Sequence, residues 1–485
     1  MSALWSSRDA ANATGGNSTQ NWTASGVSID TRSIEKGDLF VALKDIRDGH
    51  EFVAQALEKG AAAALVSYIP DGVPSDAPLL IVDDVLKALE QLGVAARARM
   101  TGKVIAVTGS VGKTSTKDML KTALAPQGKT HAAERSFNNH WGVPLTLARM
   151  PQDTEFAVIE LGMNHPGEIG PLSKLTRPHV AMITAVAEVH MAAFKSVRQI
   201  AKAKAEIFEG LEPGGHAILN RDIPTYAILS RAAKRAGAIQ HRYGYAGRPE
   251  FAIRRIRASA DGSIVTYRKD SKKYHLKLSA PGAHLAQNGL GVLAAIDAAG
   301  ADMAKGSMAL ANWTPPAGRG SRVIIDLGEP DVDGAIILID ESYNANPASM
   351  EAAINGLALS EPTDGIGRVS KGRRIAILGD MLELGPEEIA KHASLARLNA
   401  MSDIDVVHTV GPLMEALMQS LPEHKRGRHY ANNDALTGEI SNLLDAGDVV
   451  MVKASLGTGL GKAVDAIKTM GQIRDTNDSP NEMGT

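Results

Sequence analysis

Cysteine is absent from this chain of 485 residues, and aromatic side chains make up only 4% of it. The lack of cysteine excludes disulfides and thiolate metal sites, which favours a reducing, cytoplasmic location. The shortage of aromatic residues leaves no obvious patch for self-association, so we expect a monomer. Lysine and arginine number 52 against 54 aspartates and glutamates. This balance gives no basic surplus, and we expect no nucleic-acid partner.

Long apolar runs are also missing. The first 25 residues contain Arg8 and scattered Asn, Ser and Gly, so they lack the apolar segment of a secretory signal. No stretch of 18 consecutive apolar residues occurs anywhere. We therefore expect an unexported protein without stable membrane insertion.

The chain does contain three successive blocks in which short apolar runs alternate with helical patterns, as in an α/β fold. Its length fits about three domains. We predict a small N-terminal α/β substrate domain over 1–100 and a central P-loop ATPase-type domain with a mostly parallel sheet over 101–317. A C-terminal doubly wound, Rossmann-like domain follows over 318–474. The polar segment 475–485 predicts a disordered tail.

The two boundaries coincide with breaks in the pattern. Thr101 and Gly102 end a predicted helix over 84–99, and the run WTPPAGRGSR within 312–322 disfavours both a helix and a central strand. The predicted strands lie at 79–82, 104–107, 157–160, 180–186, 336–339, 374–378, 406–410 and 449–452.

The stretch VIAVTGSVGKTSTK, residues 104–117, joins an apolar strand to a glycine-bounded loop, a lysine and two hydroxyl residues. Such a loop closes backbone N–H groups on phosphate oxygens, and the following helix points its N-terminus at the charge. Val107 occupies the place of the first glycine in the longer P-loop pattern, so the shortened form GxxGKT remains. The stretch predicts nucleotide binding, with Mg²⁺ near Thr114, and the candidate residues are Gly109, Ser110, Gly112, Lys113, Thr114 and Ser115.

Two polar residues follow predicted strands. Glu160 closes the strand FAVIE, and His190 comes four residues after the strand VAMITAV. Because the carboxyl ends of parallel strands meet at one edge of a sheet, both residues are expected near the P-loop. Glu160 is a candidate Mg²⁺ ligand beside Thr114, and the alternative is a carboxylate exposed at a strand end. For His190 alone, a structural role is the commoner explanation.

Lys204 stands on the apolar stripe of a predicted helix, whereas Lys202 points away from it. A lysine in this position either extends its ammonium group to water or has a lowered pKa and a chemical task. A neutral amine takes up CO₂ to form a carbamate, which acts as a carboxylate. The apolar stripe of the segment SVRQIAKAKAEIF consists of Val197, Ile200, Ile207 and Phe208.

These residues carry a resemblance to the Mur ligase family that spans nearly the whole chain. The matching stretches are SIDTRSIEKGDLFVALKDIRDGHEFV, TGSVGKTSTK, SFNNHWGVPLTL, VIELGMNHPGEI, AKAKAEIF, IDESYNANPASM and ILGDMLELG. SYNANPASM and LGDMLELG indicate the branch of the family that adds D-alanyl-D-alanine. The family's own phosphate loop has the shortened form GxxGKT.

The resemblance implies catalytic roles for Lys113, Glu160, His190 and Lys204, and a metal-binding role for Thr114. Lys113 and Thr114 would hold the γ-phosphate and a first Mg²⁺, to which Glu160 contributes. A second Mg²⁺ would lie beside His190 and Lys204, with Lys204 converted to N6-carboxylysine. In the stretch AKAKAEIF, the lysine that matches the family's position is Lys204 and not Lys202, in agreement with the helical stripe.

Further positions follow from the resemblance. The nucleotide would contact Asn288, Arg319, Asp340, Tyr343 and Asn344. The uridine diphosphate end of the substrate would contact Thr31, Arg32 and Asp48, and its sugar-peptide arm Asn138 and Asn139. Lys453 and Ser455 would bind the incoming dipeptide. The chain departs from the family at Leu285, Asp45 and VKASLGTGL, and the last departure concerns these two dipeptide residues.

The implied activity is an ATP-dependent amide ligase that joins D-alanyl-D-alanine to UDP-N-acetylmuramoyl-tripeptide through an acyl phosphate and a tetrahedral intermediate. This step belongs to cytoplasmic peptidoglycan precursor synthesis, and hence to cell wall growth, shape and division. The alternatives within the superfamily are the ligase that adds the third amino acid and folylpolyglutamate synthase. A nucleotide-binding scaffold or switch is the alternative from another class. The third peptide residue, diaminopimelate or lysine, stays open.

Overall fold

The computed structural model describes residues 3–134, 136–189, 191, 193–328, 334–368 and 370–474. His190 and the tail 475–485, both subjects of predictions above, lie outside the described residues. Within the described part of the chain, the strands form four sheets.

The N-terminal sheet has five strands in the order β2-β7-β6-β5-β4. Strands β4 to β7 are parallel, and β2 runs antiparallel at one edge. A separate antiparallel pair joins β1 to β3. The strands are β1 Trp5–Ser6, β2 Asn17–Ser18, β3 Thr23–Ala24, β4 Gly26–Ser28, β5 Asp38–Val41, β6 Ala63–Val66 and β7 Leu79–Ile81. The helices are α1 Ser7–Thr14, α2 Val53–Glu58 and α3 Val85–Arg99.

The central sheet has nine strands in the order β16-β15-β14-β13-β12-β11-β8-β10-β9. All are parallel except β15 and the edge strand β16, which form an antiparallel extension of β14. The strands are β8 Lys103–Thr108, β9 Thr130–Ala132, β10 Phe156–Glu160, β11 Val180–Ile183, β12 His216–Asn220, β13 Ile239–Gly244, β14 Phe251–Ser259, β15 Gly262–Lys269 and β16 Lys272–Leu278. The helices are α4 Lys113–Leu124, α5 Gly142–Ala148, α6 Ile169–Thr176, α7 Val197–Ala205, α8 Tyr226–Arg235, α9 Ala283–Ala298 and α10 Met303–Leu310.

The C-terminal sheet has seven strands in the order β21-β20-β19-β22-β18-β17-β23, with β17 and β23 antiparallel at one side. The remaining strands are parallel. The strands are β17 Ser321–Asp326, β18 Ala335–Glu341, β19 Arg374–Gly379, β20 Val406–Val410, β21 Arg426–Tyr430, β22 Val449–Lys453 and β23 Gln472–Arg474. The helices are α11 Pro347–Ala358, α12 Glu388–Ser394, α13 Glu415–Ser420, α14 Asn433–Thr437, α15 Ile440–Leu443 and α16 Gly461–Lys468.

The predicted helix over 84–99 is confirmed as α3. Asp84 caps it, because its carboxylate accepts a hydrogen bond from the backbone N–H of Lys87. The predicted strand over 180–186 is too long, since β11 ends at Ile183. The chain then turns to meet the P-loop: Thr184 Oγ1 donates to the carbonyl of Val111 at 2.7 Å. The backbone N–H of Thr184 still donates to the carbonyl of Thr108 at 3.0 Å, so Thr184 joins the end of the strand to the P-loop.

The N-terminal and central parts share an apolar core, whereas the C-terminal part has its own. The core around β5 to β7 and α3 includes Leu145 and Ala148 of α5. Trp5 Nε1 also donates to the carbonyl of Ala148 at 2.8 Å. The two cores that flank the C-terminal sheet contain only residues from Ile325 onwards. Apolar packing therefore joins the first two parts, whereas the described residues show no buried apolar core shared with the third.

Among the helices of the described residues, none combines the length and the apolar character needed to cross a bilayer.

A buried histidine of the C-terminal sheet makes stability depend on pH. His408 is 5% exposed, its Nδ1 accepts a hydrogen bond from the backbone N–H of Arg428, and burial, then Arg373 and Arg428, lowers its pKa to about 4. The unfolded chain binds this proton near pH 6.5. The contribution of neutral His408 to the free energy of unfolding is therefore complete above pH 6.5 and is lost as the pH falls towards 4. Between pH 7 and pH 5 we expect a loss of about 2 kcal/mol.

Urea unfolding at both pH values measures this loss. His408→Gln keeps a hydrogen-bond acceptor but does not titrate, so its free energy of unfolding should change less between pH 7 and pH 5. His179, whose pKa is also lowered to about 4, titrates in both proteins, so the difference reports His408 alone. Parallel pH profiles for the two proteins would contradict the assignment.

Candidate functional site

The loop between β8 and α4 is shaped by two close approaches. Gly112 has φ +80°, and a Cβ there would lie 2.6 Å from Nδ2 of Asn288. A Cβ on Gly109 would lie 1.9 Å from Oγ1 of Thr184. Both positions therefore exclude a side chain. The loop stays narrow, and α4 begins at Lys113 with its N-terminus at the sheet edge.

Lys113 folds back over this loop, and its Nζ donates to the carbonyl of Gly109 at 2.9 Å. Burial lowers the pKa of Lys113, the nearby carboxylate of Glu160 raises it, and Arg319 lowers it. A phosphate placed at the N-terminus of α4 would favour the charged form of this lysine.

Glu160 ends β10 and is held by two polar neighbours. Its Oε2 accepts a hydrogen bond from Oγ1 of Thr114 at 2.9 Å, and its Oε1 accepts one from Nδ2 of Asn138 at 2.7 Å. Glu160 is 2% exposed, so it does not extend from the strand end into solvent. The geometry favours the ligand hypothesis over an exposed carboxylate.

The donor set fits Mg²⁺. A carboxylate and a hydroxyl meet at one point, and Mg²⁺ typically takes one or two protein ligands beside phosphate oxygens and water. No group of three or more His, Asp or Glu side chains that could hold a metal occurs in the described ranges. The site therefore suits a metal that arrives with a phosphate ligand.

A cavity of about 450 Å³ lies over the P-loop and is walled by both the central and the C-terminal parts. It brings together nine of the residues predicted to bind ATP, namely Ser110, Gly112, Lys113, Thr114, Ser115, Asn288, Arg319, Tyr343 and Asn344. The predicted residues Gly109 and Asp340 are not among its lining residues. Asp340 instead contacts a lining residue, because its Oδ2 accepts a hydrogen bond from the N–H of Gly318 at 2.9 Å.

Arg319 connects the two walls of this cavity. Its guanidinium group stacks on the ring of Tyr343, 4.2 Å from the ring centroid, and donates to Oγ of Ser136 at 3.1 Å. Ser136 Oγ in turn lies 3.2 Å from Oγ1 of Thr114. A cation from the C-terminal part thus reaches the hydroxyl groups beside the P-loop.

Lys204 is buried in α7, with 2% of its surface exposed, while Lys202 on the same helix is exposed. Burial lowers the pKa of Lys204 well below its ordinary value, and the charge of Lys113 lowers it further. Both effects favour the neutral amine, which is the form that reacts with CO₂. Its helical stripe is also buried as predicted at Ile200, Ile207 and Phe208.

The sequence patterns of two known domains match the chain, the Mur ligase middle domain over residues 107–296 and the Mur ligase, glutamate ligase domain over residues 330–456. The UDP-N-acetylmuramoyl-tripeptide–D-alanyl-D-alanine ligase of Bacillus subtilis (strain 168) is 35% identical over 446 residues, 90% of this chain and 92% of the relative. The chain belongs to the Mur ligase family. The ligase of the same name from Escherichia coli (strain K12) is also 35% identical, over 93% of this chain and 95% of the relative.

Solved Mur ligase structures agree with the predicted α/β class. MurF from Acinetobacter baumannii superposes with a TM-score of 0.80 at 27% identity, covering 96% of this chain and 99% of that one. The MurF ligase of Thermotoga maritima in complex with ADP gives a TM-score of 0.73 at 23% identity, covering 92% and 97%. The fold class that the sequence predicted is thereby confirmed.

The predicted dipeptide residues of this Mur ligase have local partners. Nζ of Lys453 lies 3.1 Å from Oε2 of Glu341 and donates to the carbonyl of Asn344 at 2.9 Å. Oγ of Ser455 accepts a hydrogen bond from the N–H of Leu382 at 3.0 Å. Lys453 lines the cavity beside the P-loop, whereas Ser455 is absent from its lining.

A second cavity of about 1070 Å³ lies between the N-terminal and central parts. Thr31 and Arg32 line it, as predicted for residues that bind one end of a long substrate. Asp48 does not line it and instead caps a short 3₁₀ helix, where its Oδ1 lies 2.6 Å from Nδ1 of His50. Asn139 likewise caps a turn, accepting from the N–H of Gly142 at 2.8 Å.

Several lining residues of this Mur ligase escaped the sequence analysis. Ser136, Asn220 and Gln287 contribute polar atoms to the cavity over the P-loop. Gln287 directly precedes Asn288 in the helix start HLAQN, so its position was a usable signal. Ser136 opens the matching stretch SFNNHWGVPLTL, which was a usable signal, whereas no pattern in the quoted stretches includes Asn220.

Proposed function

We propose that this Mur ligase joins D-alanyl-D-alanine to UDP-N-acetylmuramoyl-tripeptide at the expense of ATP. The observation that carries the proposal is the cavity in which Lys113, Thr114 and Glu160 face Arg319. It provides a phosphate loop, an oxygen-ligand pair for Mg²⁺ and a cation from the C-terminal part. Relatives of this specificity match over at least 90% of the chain at 35% identity, which supports the choice of substrates.

The first half-reaction follows from the charges. A tripeptide carboxylate and the γ-phosphate of ATP repel each other, so Lys113 and Arg319 neutralise the phosphate oxygens. A carboxylate oxygen attacks the γ-phosphorus in line, and the bond to the bridging oxygen of ADP breaks. The products are an acyl phosphate and ADP. Bound Mg²⁺ would withdraw charge from the phosphate oxygens.

The second half-reaction forms the amide. The amine of D-alanyl-D-alanine attacks the acyl carbon, giving a tetrahedral intermediate whose oxyanion is stabilised by the same cations. The carbon–oxygen bond to phosphate then breaks, and the amine loses a proton. Water competes with the amine for the acyl carbon, so the residues around the cavity must also exclude water.

The finer assignments belong to the same proposal. Thr114 and Glu160 hold a first Mg²⁺, and His190 with the carbamate of Lys204 holds a second. The three larger sheets correspond to domains over 1–100, 101–317 and 318–474. The protein acts as a cytoplasmic monomer, and its product serves cell wall growth, cell shape and cell division.

An acceptor panel tests the substrate assignment. The protein is incubated with ATP, Mg²⁺ and one of three carboxylate substrates, namely UDP-N-acetylmuramoyl-tripeptide, UDP-N-acetylmuramoyl-dipeptide or a folate. Each is paired in separate reactions with D-alanyl-D-alanine, diaminopimelate, lysine or glutamate. We expect mass spectrometry to detect a new amide only with the tripeptide precursor and D-alanyl-D-alanine. Ligation of a single amino acid to a shorter precursor would instead identify a sister ligase, and glutamate ligation to a folate would identify a folylpolyglutamate synthase.

Glu160→Gln tests the first metal site. The substitution keeps the size of the side chain and one acceptor oxygen for the amide of Asn138, but it removes the negative charge and the second oxygen, which accepts from Thr114. We expect the Mg²⁺ concentration for half-maximal activity to rise by about 10- to 100-fold. Glu155→Gln, at the exposed opposite end of β10, is the matched control. An unchanged Mg²⁺ requirement in Glu160→Gln would show that this carboxylate is not a ligand.

A further inference from the structure

The contact between the central and C-terminal parts includes an ion pair remote from the P-loop. Nζ of Lys391, on α12, lies 2.9 Å from Oε2 of Glu188, in the loop between β11 and α7. The lysine side chain is 14% exposed and the glutamate 48%. Among the described residues, the C-terminal cores contain none from the central sheet. Polar contacts such as this ion pair therefore contribute a larger share of the binding between the two parts.

Both ends of this ion pair connect to functional segments. On the central side, the residue before Glu188 accepts a hydrogen bond from the P-loop, between Oγ of Ser110 and the carbonyl of Ala187 at 3.0 Å. The backbone N–H of Ser110 also donates to the carbonyl of Ala185 at 2.7 Å. The loop that carries Glu188 is thus fixed to the phosphate loop.

On the C-terminal side, α12 is fixed to the end of β19. His392, next to Lys391, is fully buried, and its Nε2 accepts a hydrogen bond from the N–H of Met381 at 2.9 Å. Gly385, which precedes α12, also approaches Met191 of the central loop, since a Cβ there would lie 3.8 Å from Met191. The ion pair therefore lies on a continuous path from the P-loop to the carboxyl end of β19.

We propose that Glu188 and Lys391 form an inter-domain latch. The latch holds the C-terminal part over the phosphate loop from the formation of the acyl phosphate until the amine of D-alanyl-D-alanine attacks it. The proposal rests on the ligase function above and adds two positioning residues to it. With the latch open, water reaches the acyl carbon and its oxygen forms the new bond in place of the amine. The carbon–oxygen bond to phosphate breaks in the same way, so ATP is consumed and free tripeptide is regenerated.

The measurable consequence is coupling, the ratio of amide formed to phosphate released. We expect a ratio near one in the unchanged protein. In Lys391→Met and Glu188→Gln the ratio should fall, and the KM for D-alanyl-D-alanine should rise by about tenfold, which corresponds to about 1.4 kcal/mol. The KM for ATP should change little, because the P-loop contacts remain.

The matched control is Lys269→Met. Lys269 forms an ion pair with Asp297 at the same 2.9 Å, and its side chain is 16% exposed, but both partners belong to the central part. This variant should keep the coupling and the KM of the unchanged protein. The exchanged pair Glu188→Lys with Lys391→Glu should recover much of the coupling, which a merely structural loss would not do.

Salt gives an independent readout. Raising the ionic strength screens a partly exposed ion pair, so it should lower coupling in the unchanged protein and leave Lys391→Met nearly unaffected. The latch is refuted if Lys391→Met and Glu188→Gln stay fully coupled with an unchanged dipeptide KM. Failure of the ligase function is distinguishable, because the unchanged protein would then form no amide.

Discussion

Replacement of Lys113 by alanine is expected to abolish phosphoryl transfer, with ADP formation falling by about a thousandfold or more. The ammonium group of Lys113 lies within the P-loop, 2.9 Å from the carbonyl of Gly109. Its removal takes away one of the cations that neutralise the negative charges of ATP and the peptide carboxylate, and Arg319 remains in the cavity lining. The loss should therefore appear in turnover and not only in the KM for ATP.

Quenched time-course assays of ADP formation at saturating ATP measure this effect. Lys121→Ala is a suitable control, because Lys121 lies on the same helix with an exposed side chain. It should retain normal activity. Persistent ADP formation by Lys113→Ala would refute the assignment of the phosphate loop.

Replacement of Lys204 by alanine is expected to lower turnover by about a hundredfold or more, the scale found for lost electrostatic stabilisation at a reacting group. Lys204 is buried and its pKa lies well below the ordinary value, so the proposed carbamate supplies a negative charge where an ammonium group would supply a positive one. Alanine removes that group entirely. Added bicarbonate should not restore activity, since the amine that reacts with CO₂ is gone.

Carbon-13 NMR after equilibration with labelled bicarbonate tests the modification separately from activity. The unchanged protein should show a carbamate signal that Lys204→Ala lacks. Lys202→Ala, on the same helix but at an exposed position, should keep both the signal and the activity. Full activity of Lys204→Ala would contradict the carbamate hypothesis.

The sequence was sufficient to predict the positions of residues that lie within a short segment or on a regular element, while their chemical roles stay predictions. The P-loop is contiguous, so its strand, glycines and lysine could be predicted together. Glu160 followed from the rule that parallel strands end at one edge, and Lys204 from the apolar stripe of α7. The predicted strands that match β10 and β20 were similarly set by local apolar runs.

The remaining features depend on tertiary contacts that no local pattern encodes. Thr184, just after β11, contacts Val111 of the P-loop, and Ser136 lies 3.2 Å from Thr114. The pairing of Glu188 with Lys391 joins two separate sheets. Each of these contacts requires the relative placement of elements distant in sequence, which apolar periodicity does not contain.

The most direct test of the ligase function is phosphate release from ATP at fixed Mg²⁺, with UDP-N-acetylmuramoyl-tripeptide and D-alanyl-D-alanine supplied singly and together. The proposed function predicts rapid release only when both substrates are present, in step with amide formation. Phosphate release that does not depend on D-alanyl-D-alanine, or no phosphate release with both substrates, would contradict the ligase function. Either result would favour a nucleotide-binding scaffold or switch.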